Sequence, residues 1–418
     1  MHISKYYFIL KRLSKRLIVR AYLSIAVGIV LALLALEISD YVPKVWADLL
    51  GNEAVDDILK ILASSMLIVA TFSLSTMVSA YSAASQGVTP RAARLLMEDR
   101  ESLNALSIFL GAFIFSIIAI IALSTGFYEQ PERFVLFIFT ILLVVLIVWT
   151  IVGWIEKLSK LGRVHETIMQ VEGMCSHALE KVGNDLAYGA QIYEEDSALF
   201  KDGIDLFHKR VGYVRSIDFD ALNDLASNHG AKILIEVEPG TYMYECRRLG
   251  VVAGRVSDSI LKSFQECFDV GSSRFFEEDP RFGFITLGEV ASRALSPAVN
   301  DPGTAIDVIS SMIRLLTSWD KKIVKERVKV NFNSLYVRPF VACVFFQDIV
   351  NPISRDGARH LEVNIRLYKA LEALENLSSH ELTTCATHWK KRVIQRALET
   401  LEFSDDKESF KEVIESKT

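Results

Sequence analysis

Apolar positions crowd into four blocks within the first 155 residues, whereas the rest of the chain mixes helical and strand-like patterns of apolar and polar positions. A helix rising about 1.5 Å per residue needs roughly 20 apolar residues to cross the hydrocarbon core of a bilayer. Blocks of that length lie at 17–36, 58–81, 104–123 and 134–155. Short charged connectors separate them, which favours four transmembrane helices over four buried core helices. The first block is expected to remain as an anchor. Its apolar run is too long for a cleaved leader, no small-residue cleavage site follows, and Glu37 and Asp40 come directly after it.

Past the fourth block the pattern predicts a helical connector over 156–210, continuous as a helix to about residue 188, with Ile168, Val171, Met174, Leu179 and Val182 at helical spacing. A cytosolic α+β domain, mainly helical, is expected over 211–418, with a small β-containing module at about 211–254. Pro239-Gly240 is the turn signal inside that module, and Ser257-Asp258 can cap the helix that follows it. Further on, 328–332 and 340–346 read as short strands, 357–377 and 379–401 as amphipathic helices, and the charged tail from Asp405 as a frayed end.

Basic residues set the orientation, because cytoplasmic segments accumulate Lys and Arg. Lys5, Lys11, Arg12, Lys15, Arg16 and Arg20 precede the first block; Arg91, Arg94 and Arg100 join the second to the third; Lys157, Lys160 and Arg163 follow the fourth. The first connector is acidic instead, with Glu37, Asp40, Asp48, Glu53, Asp56 and Asp57 against Lys44. Both termini are therefore expected on the cytoplasmic side of a bacterial inner membrane. Trp149, Trp154, Phe127 and Tyr128 suit interfacial aromatic belts.

The bulk composition, 51% hydrophobic with a net charge of −5, averages these unlike parts and says little about partners. Cys175, Cys246, Cys267, Cys343 and Cys385 all fall in the expected cytosolic part without a Cys-x-x-Cys pair. Reduced thiols are expected, with neither a disulfide framework nor a zinc site. His165-Glu166 and His380-Glu381 lack the second His of a helical zinc motif, so no metal or other cofactor is expected. No basic stripe alternates with aromatics, which argues against nucleic acid as a partner.

The second block is rich in hydroxyls. Thr71, Ser75, Ser79 and Ser82 recur at steps of three and four, which places them on one helical face, and Gln86, Arg91 and Arg94 follow at its cytosolic end. Two readings stay open: close helix packing with hydroxyls bonded to backbone carbonyls, or a hydrated path lined by weak neutral oxygens. No ionisable residue lies in the middle of any block, which counts against a proton-driven pump. Four helices would hardly enclose a pore alone, so a conduit implies a homo-oligomer.

The most distinctive phrases come later. Asp279-Pro-Arg-Phe-Gly-Phe and Ala294-Leu-Ser-Pro-Ala-Val-Asn-Asp-Pro-Gly-Thr-Ala, with the 79–94 stretch and Val237-Glu-Pro-Gly, resemble a family of predicted bacterial integral membrane proteins catalogued only as a domain of unknown function. The resemblance implies a helical membrane domain joined to a cytosolic one and brings no activity. Physically, Asn300 or Asp301 can cap a helix whose first turn holds Pro302. That start could receive an anion beside Arg281 or Arg293, but capping and internal Arg–carboxylate pairing explain it more simply. Glu277, Glu278, Asp279, Glu289 and Asp301 could gather a cation or act as paired carboxylates only if folding brings them together, and no catalytic residue is assigned. The expected function is an oligomeric conduit for small ions in the lipid bilayer. The alternative is a non-conducting, membrane-anchored scaffold or sensor.

Overall fold

The computed structural model describes residues 54–97, 100–125, 130–160, 162–182, 187–195, 198–325 and 330–416, with isolated helical positions between 23 and 34. The first expected span, apart from those isolated positions, the acidic connector as far as Glu53, and Phe127 and Tyr128 lie outside the described residues, whereas Asp56 and Asp57 are helical. The chain forms two compact units. One takes Ala93–Arg163 and everything up to Gly87; the other takes Val88–Ala92 and Val164–Thr418.

The first unit is built on α1 (Ala54–Gly87), α3 (Arg100–Ser124) and α4 (Gln130–Lys160), with the short α2 (Pro90–Met97) between α1 and α3. These three long helices are apolar enough to cross a membrane. At 34, 25 and 31 residues they all exceed what a hydrocarbon core requires. Leu62, Met66 and Ala70 of α1 pack on Ala105, Leu106, Phe109 and Ala112 of α3, and Ile147 and Trp154 of α4 complete the cluster. The alanines let the backbones approach, and this close packing holds helices together where lipid supplies no hydrophobic drive. Buried hydroxyls are satisfied within their own helix: Ser107, Ser116 and Thr140 each donate to the carbonyl four residues back. Trp154 departs from the expected belt. It is only 6% exposed and its indole Nε1 donates to Ser73 Oγ at 2.9 Å, pinning α4 to α1, whereas Trp149 is exposed.

The expected single helix breaks at Gly162, whose φ of +83° an L side chain resists, and α5 (Val164–Val182) starts afresh in the second unit. Two sheets follow. One has the order β1–β8–β4–β6–β2, from Ala190–Ile192, Phe332–Val337, Lys232–Ile235, Arg248–Ala253 and Ile204–Phe207; β8 runs parallel to β1 and β4, and β6 antiparallel to β4 and β2. The other is antiparallel, β5–β3–β7, from Tyr242–Met243, Gly212–Ile217 and Phe268–Gly271. Strands thus begin at Ala190, inside the stretch expected to be helical, and β7 and β8 reach the sheets from well beyond residue 254. Leu206, Val214, Ile233, Ile235, Val252, Phe268 and Leu335 form their shared core with Leu222 of α6 (Phe219–Asn228) and Phe264 of α7 (Asp258–Glu266).

The helical part comprises α8 (Pro280–Ala294), α9 (Pro302–Lys325), α10 (Cys343–Asp356), α11 (Leu361–Leu374), α12 (His380–Thr400) and α13 (Ser404–Glu415). Phe284 of α8 stacks on Phe345 of α10 with ring centroids 4.4 Å apart, and Trp319 meets the same ring edge-on. The stretch expected as a strand at 340–346 is the approach to α10, where Phe345, Ile349, Val350 and Ile353 face the core at helical spacing. The tail is also ordered, because α13 buries Phe410 completely beside Tyr368. Against the expected reduced thiols, Cys343 and Cys385 form a disulfide, their Cα atoms 5.5 Å apart. The separation of 42 residues closes only when α12 folds back on the start of α10.

Candidate functional site

On α1 the hydroxyl-bearing residues divide into three kinds. Ser73 faces inward to Trp154. Ser64, Ser65, Thr71 and Thr76 donate to carbonyls three or four residues back. Ser75, Ser79 and Ser82 are exposed and make no hydrogen bond among the described residues. Thr71, Ser75, Ser79 and Ser82 thus share a face of α1 that no other described residue buries, interleaved with exposed Ile68, Phe72 and Val78. Gln86 and Arg94 are helical positions of α1 and α2.

A second concentration of polar groups surrounds the start of α8 in the second unit. Asp279 is its N-cap: Oδ1 accepts from the Phe282 amide at 3.0 Å, and Pro280 fills the first turn, where a missing N–H is harmless. The same carboxylate, only 1% exposed, takes a two-pronged contact from Arg274, Nε to Oδ2 at 2.6 Å and Nη2 to Oδ1 at 2.9 Å. Burial pushes the Asp279 carboxyl above its ordinary range, against the opposing pull of Arg274. Gly240, at φ +92°, lies directly over this pair: a Cβ there would fall 2.2 Å from Asp279 Oδ2. Glu238 opens that turn and accepts no hydrogen bond on its carboxylate among the described residues. Desolvation lifts it to about 7, with Arg281 lowering and Asp279 raising it.

In the first turn of α8, Arg281 grips Asp348 of α10 with Nε to Oδ2 at 2.8 Å and Nη2 to Oδ1 at 3.1 Å. Glu289, two turns further, pairs with Arg91, and Glu278 with Lys181 at 2.5 Å. Burial raises the Glu289 carboxyl, with Arg91 opposing. Asp301 rather than Asn300 caps α9, accepting from the Thr304 amide at 3.1 Å and its hydroxyl at 2.6 Å. Asn300 takes the left-handed conformation, φ +50°, just before it. Arg293 is half-buried on α8.

Four of the five acidic residues singled out in the sequence, Glu278, Asp279, Glu289 and Asp301, are thus each taken up by a separate partner. Glu278, Asp279 and Glu289 each face a different cation, and Asp301 serves a helix end. Among the described residues no three His, Cys, Asp or Glu side chains gather as a metal ion would require. Arg281 is engaged by Asp348. Sequence reading missed Arg274, Glu238 and Asp348. Arg274 lies five residues before Asp279, a spacing a loop-plus-cap argument can use, whereas Asp348 lies 67 residues from its partner and carries no local signal. A groove of about 420 Å³ runs between α8 and α10, lined by Ile285, Glu289, Ser292, Gln347, Asn351 and Arg355 among others.

Comparison with known proteins is consistent with this architecture. Uncharacterized proteins of Mycobacterium bovis and Mycobacterium tuberculosis are 31% identical to the chain over 114 residues, which is 26% of this chain and 22% of theirs. The chain thus matches only about a fifth of the length of these relatives. No solved structure matches it. The family described as Predicted membrane protein (DUF2254) matches residues 14–373, which takes in the long apolar helices, the Asp279 cap and the Asp301 turn, and the chain belongs to that family.

Proposed function

We propose that the protein assembles as a homo-oligomer in the bacterial inner membrane and conducts small ions along a path lined by α1. The carrying observation is the exposed face of α1, where Ser75, Ser79 and Ser82 make no hydrogen bond among the described residues and Thr71 lies on the same face. Lipid would leave such hydroxyls unserved, so a symmetric set of copies turning this face inward is the better solution. Neutral hydroxyl oxygens hold ions weakly enough to release them again. The basic flanks support a reading with both termini and the second unit on the cytoplasmic side. Gln86, Arg91 and Arg94 then sit at the cytosolic mouth. The Arg91 charge is balanced by Glu289, which weakens its bias toward anions. Because α1 runs directly into Val88–Ala92, which belongs to the second unit, a movement of that unit pulls on α1 through the chain itself and offers a route to gating.

The test is ion flux from liposomes holding the purified protein, with cation and anion gradients applied separately, against empty vesicles and the Ser75→Leu/Ser79→Leu variant. Flux lost in the variant supports α1 as the lining and gives the ionic sign. Unchanged flux removes α1 from that role. No flux from the wild type under voltage, tension or varied pH favours the second reading, a membrane-anchored sensor or scaffold.

A further inference from the structure

The Cys343–Cys385 disulfide is not needed to bring α10 and α12 together. The amide of Ala342, just before α10, donates to Glu381 Oε1 in the first turn of α12 at 2.6 Å. Around it Phe345, Leu382 and Ala386 are fully buried and Trp389 nearly so. Ser379 supplies the cap of α12 from its own side chain. Opening the S–S bond therefore leaves a packed, hydrogen-bonded contact behind. The two residues also differ in exposure. Cys385 is 2% exposed, whereas Cys343 is half-buried and follows an exposed approach, with Val341 56% exposed.

We propose that this bond is a reversible thiol-exchange clasp and that Cys343 is the sulfur attacked, making it a site of thiolation by small thiols of the glutathione class. In the exchange, a small-molecule thiolate bonds to Cys343 Sγ, the Cys343–Cys385 bond breaks, and its electron pair leaves on Cys385, which takes up a proton. A second small thiolate then attacks the small-molecule sulfur of the mixed disulfide. Cys343 leaves as thiolate and is protonated, and a small-molecule disulfide is released. Two thiols are oxidised and one protein disulfide is reduced, so the balance closes with the named reductant. The reverse sequence, with a small disulfide as oxidant, makes the clasp again. What the clasp controls is the first turn of α10, the helix that carries Asp348 and one wall of the α8–α10 groove. The inference stands on the second unit alone and does not depend on ion conduction.

The test uses the full chain in detergent with Cys246→Ser and Cys267→Ser, which remove the more accessible of the other cysteines. Buried Cys175, whose thiol burial pushes far up, stays as an internal control. Under native conditions, reduced glutathione should open the clasp with far-UV circular dichroism unchanged. Hydrogen exchange should quicken in a peptide spanning 340–350 and stay constant across α8. Glutathione disulfide should then modify Cys343 in the Cys385→Ser chain more than about tenfold faster than Cys385 in the Cys343→Ser chain, read by intact mass. A bond that yields only after denaturation overturns the proposal. So do equal adduct rates in the two single variants, or faster modification at Cys385.

Discussion

The tightest test of the energetics is Asp279→Ala. The substitution removes two things at once: the N-cap of α8 and the carboxylate that neutralises Arg274. A lost side-chain cap costs about 1 kcal/mol. Removing one partner of a buried ion pair costs about 3–5 kcal/mol, because the other charge is left in a poorly solvated place. The Arg274 side chain keeps 17% of its surface in water, which puts this case at the lower end. The expected loss is about 4 kcal/mol, read by urea unfolding of the full chain in detergent with the fluorescence of Trp319 and Trp389 as the signal from the second unit. Asp279→Asn retains an acceptor for the Phe282 amide and should lose less, by roughly the cap's 1 kcal/mol. Replacing Arg274 and Asp279 together by Leu should recover most of the loss, since no charge is left unpaired. A loss below about 1 kcal/mol in Asp279→Ala, or no recovery in the double variant, refutes the account of this junction.

Glu238 gives a pH prediction with a definite sign. Its folded value, about 7, lies above the ordinary 4.5, so the stability it contributes when protonated is complete below about pH 4.5 and is lost as pH rises through 7. Glu238→Gln should match the wild type at pH 4 and exceed it at pH 8 by at most about 3 kcal/mol in the same urea assay; equal slopes against pH would defeat this. Gly240→Ala should destabilise the second unit sharply, since its φ of +92° resists a side chain and the methyl would enter the Arg274–Asp279 pair; a loss under about 1 kcal/mol would contradict the close approach. In the first unit, Ser73→Ala leaves the Trp154 indole without its acceptor and should cost about 0.6–1.7 kcal/mol in thermal melts in detergent, with Ser75→Ala near zero.

The long apolar helices were legible because length and composition alone decide them, and the α8 and α9 starts because Asp-Pro is a local signal of a cap and a first turn. Contact-dependent features were not. Trp154 looks like a belt residue from its position near a span end, and only the opposing Ser73 shows it to be an interior pin. Phe340, Val341, Val344, Phe345 and Phe346 have strand-like composition, and the α8 surface across from them decides the helix. Arg281–Asp348 and Cys343–Cys385, 67 and 42 residues apart, depend on tertiary packing that no spacing rule supplies. The same holds for the α1 face. Periodicity put its hydroxyls together, but only coordinates could tell that Ser73 turns inward while Ser75 and Ser79 remain uncovered.

The assignment of Val88–Ala92 to the second unit has a biosynthetic consequence. Arg91 leaves the ribosome 198 residues before Glu289, its partner, and Val88 and Ala92, fully buried in the finished fold, are made before almost all of the unit that encloses them. This short segment therefore waits for its enclosing partners until the later part of the chain has been made. A gene truncated after Arg163 would not yield a minimal membrane domain but one with an unmet binding edge, and supplying Val164–Thr418 as a separate polypeptide should cap that edge in trans.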